Sequence, residues 1–374
     1  MLIYNNLFLN TYKDKKVFVT GHTGFKGAWL TQWLLELGAD VAGYSLYIPS
    51  QPSLYEILNL KEKIKIDFQA DILEYNVLKS ALNEFQPDIV FHLAAQPIVS
   101  ESYNHPRNTF QVNLMGMVNI LDAILAIPSV RAGVFITSDK CYDNVEWEFG
   151  YRESDKLGGK DPYSASKACA EIAFSSYVRS FYNSSDLNIP FFSTTRAGNV
   201  IGGGDWAKDR IVPDCMRAWS QLRSVSIRNP NSTRPWQHVL EPLSGYLWLG
   251  ANLFSKKEGT HGEAFNFGPS SEVNYFVEVL INLLQRDWEN ASLETVKSDH
   301  SMNLKEASLL KLCCDKAYNR LGWLPTLSFN ETALFTSSWY KNYYSNQYNI
   351  EEFTKKQIEQ YCEISSERKR IWTR

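Results

Sequence analysis

The chain has 374 residues, 44% of them hydrophobic and 21% charged, with a formal net charge of -3. That length allows two domains with buried cores, while the charge balance gives no basic field for nucleic acid and no uninterrupted apolar run is long enough to span a bilayer. The Met1 to Asn10 stretch lacks the basic start of a secretory signal, and the six cysteines form no Cys-x-x-Cys pair and lie beside no histidine at a ligand spacing, so a cytoplasmic protein without disulfides or a metal is expected.

Residues 17 to 27 read Val-Phe-Val-Thr-Gly-His-Thr-Gly-Phe-Lys-Gly. Lys16 to Thr20 is a short buried strand, and Phe25 to Leu37 carries apolar residues at helical spacing up to Gly38, which puts Gly21, Gly24 and Gly27 in a strand-to-helix turn. Gly21 suits the tight turn, Gly24 the approach of backbone to a pyrophosphate, and Gly27 close packing of helix on sheet, with the first helical N–H groups facing the anion. The ligand this implies is a dinucleotide, with Thr23 and Phe25 in the same loop. Asp40 to Leu46 is a second strand and Ile64 to Phe68 a third, completing βαβαβ. The second strand ends Gly43-Tyr44-Ser45-Leu46, with neither the carboxylate that binds an adenosine ribose nor an arginine for a 2′-phosphate, so NAD is favoured over NADP without being secured by that position.

Ile89 to Leu93 suits a central parallel strand, and Ala94-Ala95-Gln96 follows as a turn of small residues. Val134 to Thr137, the fifth strand, delivers Ser138, Asp139 and Lys140 to the carboxyl end of the sheet, where doubly wound sheets bind ligands. Asp161 caps and Pro162 starts a helix that carries Tyr163 and Lys167 on one face. Phe191 to Thr195 is the sixth strand, before a glycine-rich run to Asp205. The fold class is α/β, a doubly wound parallel sheet of Rossmann type with a second, smaller substrate-binding domain. Residues 15–198 and 235–269 form the dinucleotide domain, 199–234 and 270–345 the smaller one, and 346–374 a charged tail, whose last twenty residues read as a solvated helix or a disordered segment.

Tyr-x-x-x-Lys occurs at Tyr12/Lys16, Tyr75/Lys79 and Tyr163/Lys167, and only the third starts a helix shortly after a serine-bearing strand end. Taking a proton from a carbinol as it is oxidised needs a phenolate, so the tyrosine pKa of about 10 must fall. Lys167 and a cationic nicotinamide ring would lower it, and Ser138 would hydrogen-bond the reacting oxygen.

The glycine spacing, the Asp161-Pro162-Tyr163-Ser164-Ala165-Ser166-Lys167 run, the Ser138-Asp139-Lys140-Cys141-Tyr142 run and the Arg234-Pro235-Trp236-Gln237-His238-Val239-Leu240-Glu241-Pro242 run together resemble the extended short-chain dehydrogenase/reductases. Within them the chain is similar, from about Lys15 to Tyr340, to the nucleotide-sugar 4,6-dehydratases. Where the dTDP-glucose branch has a glutamate this chain has Lys140, as in the branch that acts on CDP-glucose. The resemblance implies a redox-neutral cycle with bound NAD, in which sugar C4 is oxidised, the C5 proton and the C6 hydroxyl leave as water, and C6 is reduced. It implies a nucleotide-sugar substrate, no nucleic-acid or membrane partner, a homodimer or homotetramer, and a place in dideoxyhexose and O-antigen synthesis.

By the same resemblance Asp139 would protonate the departing hydroxyl, and Lys140 would take the C5 proton or stabilise charge developing near C5. Asp71 and Ile72 would contact adenine, although Asp71 equally suits the N-cap of the helix running to Phe85. Ala94 would lie against the cofactor, and Asn113 would be structural. Asn199, Arg210 and Arg234 form the substrate-binding set, with Arg234 and Asn199 at the diphosphate, since arginine's planar donors engage two oxygens; Asn199 equally suits a loop-forming role. His238 would pack beside the arginine. The alternatives are a dehydratase for another glucose nucleotide, a 4-epimerase, or a sensing scaffold that keeps the fold without the chemistry; the intact Tyr163/Lys167 pair argues against the last.

Overall fold

The apolar runs of the first half become strands in the computed structural model, which describes residues 3–182, 189–208, 210–227, 232–270, 272–286, 288, 293–295 and 309–374. They are β1 (Lys16–Thr20), β2 (Asp40–Ser45), β3 (Ile66–Gln69), β4 (Ile89–His92), β5 (Ala132–Ile136) and β6 (Phe191–Arg196). Short strands β7 (Val200–Ile201), β8 (Val225–Ile227), β9 (Thr233–Arg234) and β10 (Gln237–His238) precede β11 (Ala264–Asn266), and β12 (Tyr275–Phe276) and β13 (Leu293–Thr295) follow. The main sheet is parallel throughout, in the order β11-β6-β5-β4-β1-β2-β3. Strand order reverses between β1 and β4, which opens a crevice at their carboxyl ends, where doubly wound sheets hold ligands. Strands β7 and β10, β9 and β12, and β8 and β13 form three separate two-stranded ribbons.

β4 and β5 are buried along their whole length because helices cover both faces, the environment that selects continuous apolar runs. β5 begins two residues earlier than its apolar run suggests. Ala132 and Gly133 are drawn in by pairing with Ile89 and Val90 on one side and Phe191 and Phe192 on the other. One face of the sheet packs Trp29, Trp33 and Leu34 against Leu243, Tyr246 and Leu247 of the helix Leu240–Phe254. The other packs Leu78, Leu82, Ile120 and Phe174.

The C-terminal segment differs from its expected character as a solvated or disordered tail. Ile350–Glu367 is a helix capped by Asn349, and it buries Thr354, Ile358, Tyr361, Cys362 and Ser365. Beyond it Trp372 stacks on Phe8, with ring centroids 4.8 Å apart. The buried residues recur every three or four positions, so the charges fall on the opposite face, an arrangement that composition alone conceals. Among the described residues no helix is long and apolar enough to cross a membrane.

Candidate active site

β1 ends in a turn at Gly21, whose φ is +74°. A Cβ on Gly21 would lie 2.7 Å from the Ala94 nitrogen, and one on Gly27 would lie 2.1 Å from the Gly21 carbonyl oxygen, so neither position admits a side chain. Gly24 has room beyond the Gly21 oxygen, and as N-cap of the helix Phe25–Glu36 it supplies no side-chain cap. The first amides of that helix are left to an anion, so the loop fits a pyrophosphate-bearing dinucleotide. Thr23 Oγ1 donates to the Tyr47 carbonyl at 2.8 Å, and the Phe25 ring lies beside Gly202. The end of β2 carries no carboxylate. Asp67 on β3, opposite Gly43 of β2, is hydrogen-bonded to His22 Nε2 at 2.9 Å and accepts from the Tyr55 hydroxyl at 2.6 Å. Ile72 is buried. Asp71 accepts from the Leu73 N–H at 2.9 Å, while the helix Tyr75–Phe85 has Glu74 at its N-cap. Its alternative role as that cap is therefore corrected, since the chain makes one more turn before the helix begins.

Ser138 caps a single tight turn, Asp139–Cys141. Its Oγ accepts from the Lys140 N–H at 3.2 Å and donates to Asp139 Oδ1 at 3.0 Å. The facing helix, Pro162–Phe181, is capped by Asp161, which accepts from the Ser164 N–H at 2.9 Å. Asn113 fixes that helix to the turn after β4. Its Nδ2 donates to Ser166 Oγ at 2.9 Å and to the Gln96 carbonyl at 3.2 Å, and its Oδ1 accepts from the Gln96 N–H at 2.9 Å. Beneath the site the buried Arg196 and Glu171 pair at 2.8 Å, and Arg196 also donates to the Tyr142 hydroxyl, which donates to Asn266 Oδ1, each at 2.8 Å. These bonds tie the ends of β6 and β11 to the turn that carries Asp139.

Tyr163 and Lys167 are 7% and 5% exposed. Burial pushes the Tyr163 phenol up to about 12, against the lowering effect of its hydrogen bond with Ser138 and of the Arg210 charge. Among the chain's own groups, loss of hydration outweighs the neighbouring cations, and the expected fall, which calls on a cationic nicotinamide ring as well as Lys167, concerns the enzyme with NAD bound. Lys167 is brought down to about 8, by burial first and then by Lys26. Lys26, from the glycine loop, is itself lowered to about 8 by burial, with Asp139 holding it up and Arg210 pushing it down. Arg210 is paired with Asp205 at 2.8 Å. Lys140 has no ion-pair partner among the described residues.

A cleft of about 1250 Å³ opens from Asp139 and Gly198, past Gln237, to Trp147 and to Tyr275, which stacks on Phe329 at 4.1 Å. Of the expected substrate-binding set, Arg210 is brought to Tyr163. Asn199 has φ +52° and its carbonyl accepts from the Gln237 N–H at 3.2 Å, which gives it the loop-forming part. Arg234 stands on β9, where it donates to the Thr233 carbonyl at 2.9 Å; its neighbour Pro235, and not Arg234, lines the cleft. His238 packs against the rings of Trp29 and Phe335, not beside the arginine, and burial lowers its pKa to about 3, so it is neutral. Sequence reasoning passed over Lys26, Asp205, Gly198 and Gln237. Lys26 is signalled by being a cation inside a phosphate-binding loop, and Gln237 by its place in the Arg234 to Pro242 run. Among the described residues no group of three His, Cys, Asp or Glu side chains could hold a metal ion, and the six cysteines are free.

The family model described as GDP-mannose 4,6 dehydratase matches residues 18–334. The chain is 46% identical to the CDP-glucose 4,6-dehydratase of Salmonella typhimurium, over 89% of its own length and 92% of the relative's. Its fold is similar to that of the epimerase Mth375 from Methanothermobacter thermautotrophicus, with a TM-score of 0.77 at 24% identity, covering 92% of this chain and 98% of that one. It is also similar to a dTDP-glucose 4,6-dehydratase from Streptomyces venezuelae solved with NAD bound, with a TM-score of 0.73 at 19% identity, covering 90% and 99%.

Proposed function

The chain belongs to the GDP-mannose 4,6 dehydratase family, and from that premise we infer that it is an NAD-dependent lyase which converts CDP-D-glucose to CDP-4-keto-6-deoxy-D-glucose and water. The observation that carries this reading is the Ser138-Asp139-Lys140 turn facing Tyr163 and Lys167. Tyr163 and Lys167 suffice for an oxidation, whereas an elimination also needs an acid and a group to take or steady the C5 proton. A 4-epimerase would leave Asp139 and Lys140 idle.

The loop from Gly21 to Gly27, including Thr23, Gly24 and Phe25, together with Asp71, Ile72 and Ala94, would hold NAD, which when bound supplies a two-electron oxidation at C4 that is reversed at C6. Tyr163 takes the C4 hydroxyl proton while Ser138 holds that oxygen, and the Lys167 ammonium favours the phenolate. The C4 ketone acidifies the C5–H bond. Lys140 receives the C5 proton or, as an ammonium, stabilises the negative charge that develops near C5. The C6–O bond then breaks with its electron pair on oxygen, Asp139 gives that oxygen its proton, and water departs. Arg210, whose charge acts on Tyr163, is the member of the expected set best placed to meet the substrate's diphosphate, Asn199 shapes the loop beside it, and residues 199–234 and 270–345 serve as the substrate-binding domain. The free cysteines support a reducing, cytoplasmic setting. Exposed Tyr103, Met115, Ile172 and Phe181 support a homo-oligomer built on their helices.

Mass spectrometry after incubation with CDP-, dTDP- and UDP-glucose tests the reading. Loss of one water, fastest with CDP-glucose and with C4 deuterium recovered at C6, is expected. A product of unchanged mass would replace the dehydratase with an epimerase.

A further inference from the structure

Asp139 is placed by a side chain that is missing elsewhere. A Cβ built on Gly198 would lie 1.8 Å from Asp139 Oδ2 and 2.2 Å from its Cγ, so the carboxylate occupies the volume that any other residue at 198 would fill. Gly198 is not among the residues with positive φ, so its backbone does not itself demand glycine. Asp139 is 4% exposed, and its other oxygen accepts from Ser138 Oγ at 3.0 Å. One oxygen is hydrogen-bonded and the other is seated against Gly198, which together fix the rotamer.

The seat is in turn held from the Arg234 to Pro242 run. Gln237 Nε2 donates to the Gly198 carbonyl at 3.0 Å and to the Phe267 carbonyl at 3.1 Å, and the Gln237 N–H donates to the Asn199 carbonyl at 3.2 Å. Two carbonyl acceptors settle which way this amide faces, since only its nitrogen can donate to them. Gln237 therefore spans the loop after β6 and the segment after β11.

We propose that Gly198 and Gln237 are positioning residues for Asp139, the glycine by leaving space for the carboxylate and the glutamine by holding the glycine's carbonyl. The proposal rests on the dehydratase reading, in which Asp139 protonates the departing C6 oxygen. Because the carboxylate is the far end of a side chain, a methyl group at 198 turns it aside more easily than it moves backbone. A misplacement of about 1 Å at a reacting group costs on the order of 100-fold in rate. Tyr163, not Asp139, takes the C4 hydroxyl proton, and Asp139 touches that step only through its bond from Ser138 and its charge, so the oxidation should change far less than the elimination and reports on folding.

The test mixes NAD-loaded wild type, Gly198→Ala and Gln237→Met with CDP-glucose and follows reduced-nicotinamide absorbance and loss of water together. Gly198→Ala is expected to reduce its bound NAD within a few fold of the wild-type rate, to remain reduced, and to release product about 100-fold more slowly. Gln237→Met is expected to show the same split at about tenfold, the worth of one hydrogen bond. Equal slowing of both steps, or undiminished product release in Gly198→Ala, overturns the proposal. Crystal structures of wild type and Gly198→Ala supply a readout that needs no substrate: the Asp139 carboxylate must rotate while the backbone superposes, and an unmoved carboxylate overturns the seat. Wild type that leaves CDP-glucose unchanged would sink the dehydratase reading instead, and the two crystal structures then decide the seat by themselves.

Discussion

Glu241 gives the sharpest test of how the cleft is held together. It is 1% exposed, and its carboxylate accepts from the Thr326 N–H at 2.9 Å, the Leu327 N–H at 2.5 Å and the Tyr361 hydroxyl at 3.0 Å. These bonds join the helix Leu240–Phe254 to the segment that lines the cleft and to the C-terminal helix. Burial outweighs them and raises the Glu241 pKa from 4.5 to about 7. Between those values the folded protein keeps a proton that the unfolded chain has released. The stability this group contributes is therefore full below pH 4.5 and is lost as pH rises through about 7. The difference corresponds to about 3 kcal/mol, or about 4 °C in Tm for a chain of this length. Glu241→Gln keeps the shape and removes the titration. Thermal unfolding followed by circular dichroism, at constant ionic strength, should show the Tm of Glu241→Gln gaining about 4 °C relative to wild type between about pH 4.5 and about pH 7.5. A difference that stays constant across that window would refute the assignment of the proton to Glu241.

Tyr163→Phe should slow reduction of bound NAD by at least about 100-fold with NAD affinity unchanged, because it deletes one oxygen and little volume; undiminished reduction places the base elsewhere. Lys140→Met should still reduce bound NAD on mixing with CDP-glucose but lose C5 proton exchange in deuterated water, and a mutant that cannot reduce NAD would move Lys140 to the oxidation step. Lys26→Met removes a like charge from beside Lys167, whose pKa of about 8 should then rise. The alkaline limb of the pH profile for NAD reduction should shift upward, and an unmoved limb would show that the two amines do not sense each other.

The parts of this site legible in the sequence are those whose chemistry is local. Gly21 turns with a positive φ, and Gly27 cannot carry a Cβ against the Gly21 oxygen, so both constraints arise within a few residues of one turn. Tyr163 and Lys167 lie one helical turn apart behind a cap and a proline, which their spacing announces. What could not be read is made by approach across the fold. Gly198 matters because Asp139, at the end of a different strand, needs its space. Asp67 reaches His22 from β3, a contact that depends on the pairing of β2 with β3 and not on either strand's own sequence. The C-terminal helix reads as a tail because its apolar residues are outnumbered by charges, whereas Tyr361 and Trp372 are held by Glu241, Trp33 and Phe8 from far earlier in the chain.

Burial explains both the cost and the control in this arrangement. With Tyr163 near 12 and Lys167 near 8, the resting pair at neutral pH is a phenol beside an ammonium, and the base must be made during the reaction. The low-polarity enclosure that raises the phenol also strengthens every charge placed near it, so Lys167 and Arg210 act on a developing phenolate with more force than they would in water. Lys26 works against that arrangement. Its positive charge disfavours the ammonium of Lys167, and it is itself held up by Asp139 across the site. Lys26 and Lys167 are both lowered to about 8 by burial, so both charges weaken over the same range as the pH rises. Removing the Lys26 charge would favour the ammonium of Lys167, so one lysine in the glycine loop bears on the pair that carries out the oxidation.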